Sequence, residues 1–155
     1  MKKSQPKDKK VLNKIITVLS ILLAVVVIGN VGYFSYLYFG QKAAEKELAQ
    51  AVETAVAECE ATLADFGITE TQEEYMALYK QNMEECKTTF QKAYIANAML
   101  TYAANSANLE NSNNITEIYN SGTMGQSKDY LVQDLNNARN KLQAAIYKYT
   151  VYNKD

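Results

Sequence analysis

The sequence predicts an all-α protein in which an N-terminal transmembrane helix is continuous with an antiparallel three-helix extracytoplasmic bundle. Three observations predict it. One run of 25 residues, Ile15 to Phe39, is apolar and carries no charge. Beyond it, apolar residues recur at helical spacing over long stretches. Helix breakers are few, since Pro6 is the only proline among 155 residues.

The first element is a cytoplasmic tail, residues 1–14, holding six lysines against the single acid Asp8. The remainder is acidic, so the overall formal charge of -1 conceals a strong asymmetry. An acidic body excludes nucleic acid as a partner, because neutralising phosphates takes clustered Lys and Arg. The run from residue 15 to 39 exceeds the roughly 20 residues that cross about 30 Å of hydrocarbon. Tyr33, Phe34, Tyr36, Tyr38 and Phe39 crowd its C-terminal end, where aromatic rings favour the headgroup boundary. Lysines dominate the N-terminal flank, which by the positive-inside bias leaves the N-terminus in the cytoplasm and residues 40–155 outside it. Ala49-Gln50-Ala51 has the small-x-small form of a signal-peptide cleavage site. The apolar run, however, is longer than the roughly 7 to 15 residues of a signal h-region, so an uncleaved signal-anchor is expected. No lipobox cysteine, LPxTG-type sorting signal or prepilin site accompanies it. Within the span, Ser20 with Ala24 and the polar Asn30 have two readings, promotion of helix association or simple tolerance of a polar residue near the interface.

Residues 41–66 form the next predicted helix, with Leu48, Val52, Ala55, Val56, Cys59, Leu63 and Phe66 on one face at 100° per residue. Gly67 stands where a left-handed C-terminal cap is wanted, with Ile68 as its hydrophobic contact. Two overlapping capping boxes, Thr69 with Gln72 and Thr71 with Glu74, start a second helix expected over 71–104. It carries Tyr75, Tyr79, Met83, Cys86, Phe90, Ala93, Leu100 and Ala104 on one face, and a second apolar strip at Ile95, Met99 and Tyr102. Residues 105–126, rich in Asn and Ser, read as a long loop lying back toward the membrane. Asn114-Ile115-Thr116 within it matches a glycosylation sequon, a pattern that arises easily by chance. Ser127 is placed to cap a last helix, 127–152. Leu131, Leu135, Ala138, Leu142, Ala145, Tyr149 and Tyr152 step along it by fours and threes as a heptad packing seam. Three heptads favour an intramolecular bundle over a free coiled coil. Residues 41–85 hold eleven acids and three lysines, whereas residues 86–155 hold seven bases and five acids, so the two halves are complementary.

The chain has no histidine, which removes the usual general base, the commonest metal ligand and the Ser–His and Cys–His nucleophiles. Adjacent acids occur at Glu73-Glu74 and Glu84-Glu85, but neighbours on a helix diverge and do not converge on one substrate atom. A carboxylate metal site between helices needs Glu side chains facing inward, and these acids fall off the apolar faces. No catalytic residue, metal site or cofactor is expected. Cys59 and Cys86 outside the cytoplasm invite a disulfide. A tight turn at 67–70 instead leaves them offset by about 12 Å at 1.5 Å per residue, beyond the roughly 4.4–6.8 Å Cα separation of a disulfide. Free packing thiols are the expectation. Asn97 shares a face with Tyr79, Cys86 and Phe90, which makes it a candidate buried polar residue. Such residues lower stability while fixing register.

By subtraction, the expected function is that of a membrane-anchored interaction or scaffold module of the bacterial cell envelope without catalysis of its own. Its expected partners are the lipid bilayer and another membrane or surface protein, with self-association as a further option. The alternative is a ligand- or peptide-sensing ectodomain acting as adaptor to a membrane partner, which requires a pocket between helices.

Overall fold

The computed structural model describes residues 6–67, 69–122 and 127–153, and no strand occurs among them. Four helices account for them: α1 (Pro6–Phe66), α2 (Glu70–Glu85), α3 (Thr89–Ser121) and α4 (Asp129–Tyr152). The chain divides into two compact units, Met1–Gly40 and Gln41–Asp155.

In the first unit α1 is apolar on every side from Val11 to Phe39, and this run is largely uncovered among the described residues. From Val11 to Phe39 its large apolar side chains are exposed, apart from half-buried Leu37. Asn30 Nδ2 donates to the Val26 carbonyl at 2.9 Å, so this polar amide is engaged within its own helix. Tyr33 with Phe34 and Tyr38 with Phe39 meet edge to face, with centroids 6.0 and 5.7 Å apart. This helix is long and apolar enough to cross a membrane.

The second unit builds one core. The stretch of α1 after Gln41 contributes Leu48, Val52, Ala55, Cys59 and Leu63, with Val56 and Phe66 packed alongside, which is the face its periodicity marks. At Gly67 φ is 87°, the left-handed conformation that a side chain resists, and its N–H closes on the Ala64 carbonyl at 3.2 Å. Ile68, expected to complete that cap, lies outside the described residues. Of the two overlapping capping boxes, Thr69 with Gln72 forms. Gln72 N donates to Thr69 Oγ1 at 3.3 Å and Thr69 N donates to Gln72 Oε1 at 3.0 Å.

The predicted helix over 71–104 is two helices. Cys86 is extended at φ -72°, ψ 131° and ends α2. Thr88 then caps α3, accepting from Gln91 N at 3.2 Å, while Gln91 Oε1 accepts from the N–H groups of Lys87 and Thr88. A capping box in the middle of an apolar stripe is a start signal, and it satisfies donors that a new helix leaves open. The break also resets the helical phase. Met76 and Met83 are buried on α2, whereas Tyr75 is exposed and meets the Tyr102 ring at a tilt, with centroids 5.1 Å apart.

The expected loop over 105–126 is a second correction, because α3 continues through Ser121 to a left-handed cap at Gly122, φ 63°. Asn and Ser are weak helix formers, but here tertiary contacts override propensity. Ala103, Ala104 and Ala107 are buried, and so is Asn111. Asn111 donates to Asp129 Oδ1 at 2.6 Å and accepts from Lys128 N at 3.0 Å, tying α3 to the start of α4. The sequon at Asn114 lies on this helix.

The extra reversal turns α4 over. Lys128 bonds the Asp65 carbonyl and sits 5.0 Å above the Phe66 ring, while Lys148 pairs with Glu47 and Gln41 Nε2 donates to the Tyr152 carbonyl at 3.0 Å. The start of α4 therefore lies at the Phe66 end of the unit, not back at Gln41 where a three-helix arrangement puts it. α4 starts at Asp129 with Lys128 in the cap position, and Ser127 Oγ still accepts from Asp129 N at 3.3 Å.

Candidate functional site

The seam on α4 is occupied by its own chain. Leu131, Leu135, Ala138, Leu142 and Ala145 are buried, Tyr149 is half-buried and stacks on Phe90 at 5.2 Å, and Tyr152 is half-buried. A seam consumed by packing is not a site for a partner, so the surface between the other helices is where recognition chemistry must be sought.

One groove there follows from the shortness of α2. With 16 residues, about 24 Å at 1.5 Å per residue, α2 stops beside the middle of the α1 stretch it packs on, and α3 starts below it. The resulting groove of about 490 Å³ has Val52, Val56 and Met83 along its apolar side, with Glu53 and Glu84 exposed and Lys92 at its edge. Glu60 also lines it and is engaged by Lys80. The groove joins an apolar floor to an acidic margin, a combination suited to an amphipathic, basic segment.

The remaining candidates have structural roles. Cys59 is fully buried and Cys86 half-buried, each a free thiol. Burial, assisted by Glu60 and Glu58, pushes the Cys59 thiol up to about 12, so it stays neutral and packs as a small apolar group. Cys86 Sγ donates to the Asn82 carbonyl at 3.3 Å. The acids Glu73, Glu74, Glu84 and Glu85 are all exposed.

Asn97 is half-buried, and its Oδ1 is buried with no donor among the described residues. Its place was inferred from a face shared with Tyr79 and Cys86, which the break after α2 removes; the seven-residue step from Phe90, within α3, survives. An unsatisfied buried acceptor costs about 1–3 kcal/mol. Asn97→Leu is therefore expected to raise the melting temperature of the second unit by roughly 4–8 °C, read as thermal loss of helical circular dichroism. A fall would assign the amide to a satisfied network.

Sequence reasoning passed over four polar residues that organise the unit. Asn111 was hidden in a polar run, Thr88–Gln91 was legible as a capping box, and Gln41 is identified only by its bond to Tyr152. Together these features define a protein that is all-helical among the described residues, with one helix there long and apolar enough to span a membrane. Comparison with protein-family models, with curated proteins and with solved structures found no match.

Proposed function

We propose that this chain is a single-pass, membrane-anchored helical interaction module of the bacterial cell envelope, with its N-terminus cytoplasmic, its body extracytoplasmic and no catalysis of its own. The observation that carries this reading is the uncovered apolar helix. The large apolar side chains from Val11 to Phe39, Leu37 apart, expose half or more of their surface, an arrangement that lipid accommodates and water penalises at about 25 cal/mol per Å². The adjoining unit has a complete core of its own, so the exposed run serves anchoring and not folding of the body. The groove beside Val52, Val56 and Met83 supplies the docking surface, and its occupant is a basic amphipathic segment of a partner membrane protein, matched to Glu53 and Glu84.

The test uses full-length protein in intact cells, in a Cys59→Ala, Cys86→Ser background carrying Ser4→Cys or Asp155→Cys. An impermeant maleimide is expected to label position 155 and to reach position 4 only after lysis. Labelling of position 4 in intact cells, or a mature N-terminus at Val52, overturns the topology. A photo-crosslinker at Ala57, exposed at the groove, is expected to trap one membrane protein, and that adduct should vanish with Glu53→Lys and Glu84→Lys but persist with Asp134→Lys.

The groove also favours the second reading, a peptide-sensing ectodomain that adapts a signal to a membrane partner. Under it the species trapped at Ala57 is a short, free cationic peptide. The mass of the adduct separates the two.

A further inference from the structure

The outer face of α3 carries no charge. Tyr102, Asn105, Leu109, Ser112, Thr116 and Tyr119 step along it by threes and fours, the spacing of a heptad seam, and fall within an arc about 100° wide. Leu109 and Tyr119 are 62% and 86% exposed, Asn105, Ser112 and Thr116 are exposed and Tyr102 is half-buried. Lys92, Glu110 and Glu117 are the only charged residues of α3, and by the same spacing all three fall outside the arc. Tyrosine without charge is the composition of the centre of a protein interface.

The seam also runs past the end of the body. Asn111 bonds Asp129 and Lys128 N, and Lys128 lies over the Phe66 ring, so Asn111 is level with the end of α1 and the first turn of α4. It is the last buried residue of α3. The helix continues from there to Ser121, about 15 Å at 1.5 Å per residue. Three turns rich in Asn, Ser and Thr are marginal in water by themselves, and packing along the seam would stabilise them.

We propose that this face of α3, from Tyr102 to Tyr119, docks on the same face of a second copy of the chain. Charge favours that occupant. Residues 41–155 hold sixteen acids against ten bases, so two copies repel where their acids meet, and the seam lets them approach without that cost. Its flanks, Asn108 and Ile115 on one side and Ser106 and Asn113 on the other, are uncharged too, which leaves out the charge code by which paired helices select a different partner. The Asn105 amide and the tyrosine hydroxyls each combine donor and acceptor. Each can therefore pair with the like group of another copy, as a self-complementary contact requires. From Tyr102 to Tyr119 the strip is about 26 Å long and one helix wide, a contact of the small, reversible class. It lies wholly within the second unit and so is independent of how that unit stands to the first, and it leaves the groove beside Met83 free.

The test measures the mass of the full-length protein in detergent by light scattering, from micromolar to millimolar concentration, with amide exchange of residues 112–121 followed over the same range. The parent is expected to pass from monomer to dimer, and protection of residues 112–121 to rise with it. Leu109→Glu and Tyr119→Glu change exposed side chains and should leave the circular dichroism of the fold intact. Leu109→Glu is expected to raise the dimer dissociation constant at least about tenfold, because each copy loses a leucine from the contact and gains a carboxylate to desolvate. Tyr119→Glu should act in the same direction, whereas Leu78→Glu, at an exposed position of α2, should leave the dimer as it is. A parent that stays monomeric throughout overturns the proposal. So does a dimer that Leu109→Glu and Tyr119→Glu leave unchanged, which would place the contact elsewhere, the apolar helix included.

Discussion

Leu142→Asp is expected to abolish the cooperative thermal transition of the second unit. Leu142 is fully buried on α4, in the core cluster that also holds Leu135 and Ala138. Truncating a buried leucine costs about 2–5 kcal/mol, and a carboxylate placed there without a partner adds several more. Against a typical total of about 5–15 kcal/mol for a domain, the folded state does not survive. Tyr147→Asp, on the exposed face of the same helix, should change stability by no more than about 0.5 kcal/mol. The readout is circular dichroism of the full-length protein in detergent, where helix of the body is lost and that of the first unit is retained. A Leu142→Asp protein that stays folded as a monomer, when the parent is a dimer, would turn the seam into a contact between copies.

Asn111→Ala carries the second-largest expected effect. It removes a hydrogen bond to the Asp129 carboxylate, which is of the charged kind worth about 1.5–3 kcal/mol, and one from Lys128 N worth about 0.5–1.5 kcal/mol. A loss of about 2–4 kcal/mol lowers the melting temperature by roughly 10 °C or more in a unit of this size. The first turn of α4 and the last turns of α3 should also lose amide-exchange protection before the rest, because Asn111 is the side chain that fastens one to the other. Asn113→Ala, exposed two residues away, is the control and should leave both readouts unchanged. Equal protection in Asn111→Ala and the parent would show that the far portion of α3 is held by other contacts.

These two substitutions mark what was and was not readable in the residues. Leu142 was legible because α4 is regular: its leucines and alanines step by fours and threes without a break, and the inward face of a helix follows from that period. The same holds for Leu48 to Phe66 on α1 and for the uncharged run before it, whose length alone sets what it can cross. Asn111 was not legible. Nothing local separates it from Asn108 or Asn113, and only the approach of Asp129 and Lys128 gives its amide a role.

Local pattern thus determined the all-helical class, the apolar helix long enough for a membrane, the buried faces of α1 and α4, the cap at Thr69 and the absence of histidine chemistry. Tertiary structure decided the rest. Thr88 and Gln91 carry a capping signal that lay inside an apolar stripe with unbroken helical spacing, and periodicity cannot report a break when the face happens to continue across it. Propensity favoured a loop where buried alanines and the Asn111 bonds stabilise a helix, because contact energies from distant residues exceed the few tenths of a kcal/mol by which asparagine disfavours helix. The direction of α4, the position of its first turn beside Phe66 and the groove left by a short α2 all depend on the number of reversals in the chain. That number is set by three non-helical residues, 86–88, in which Cys86 at ψ 131° and Thr88 at ψ 151° are both extended.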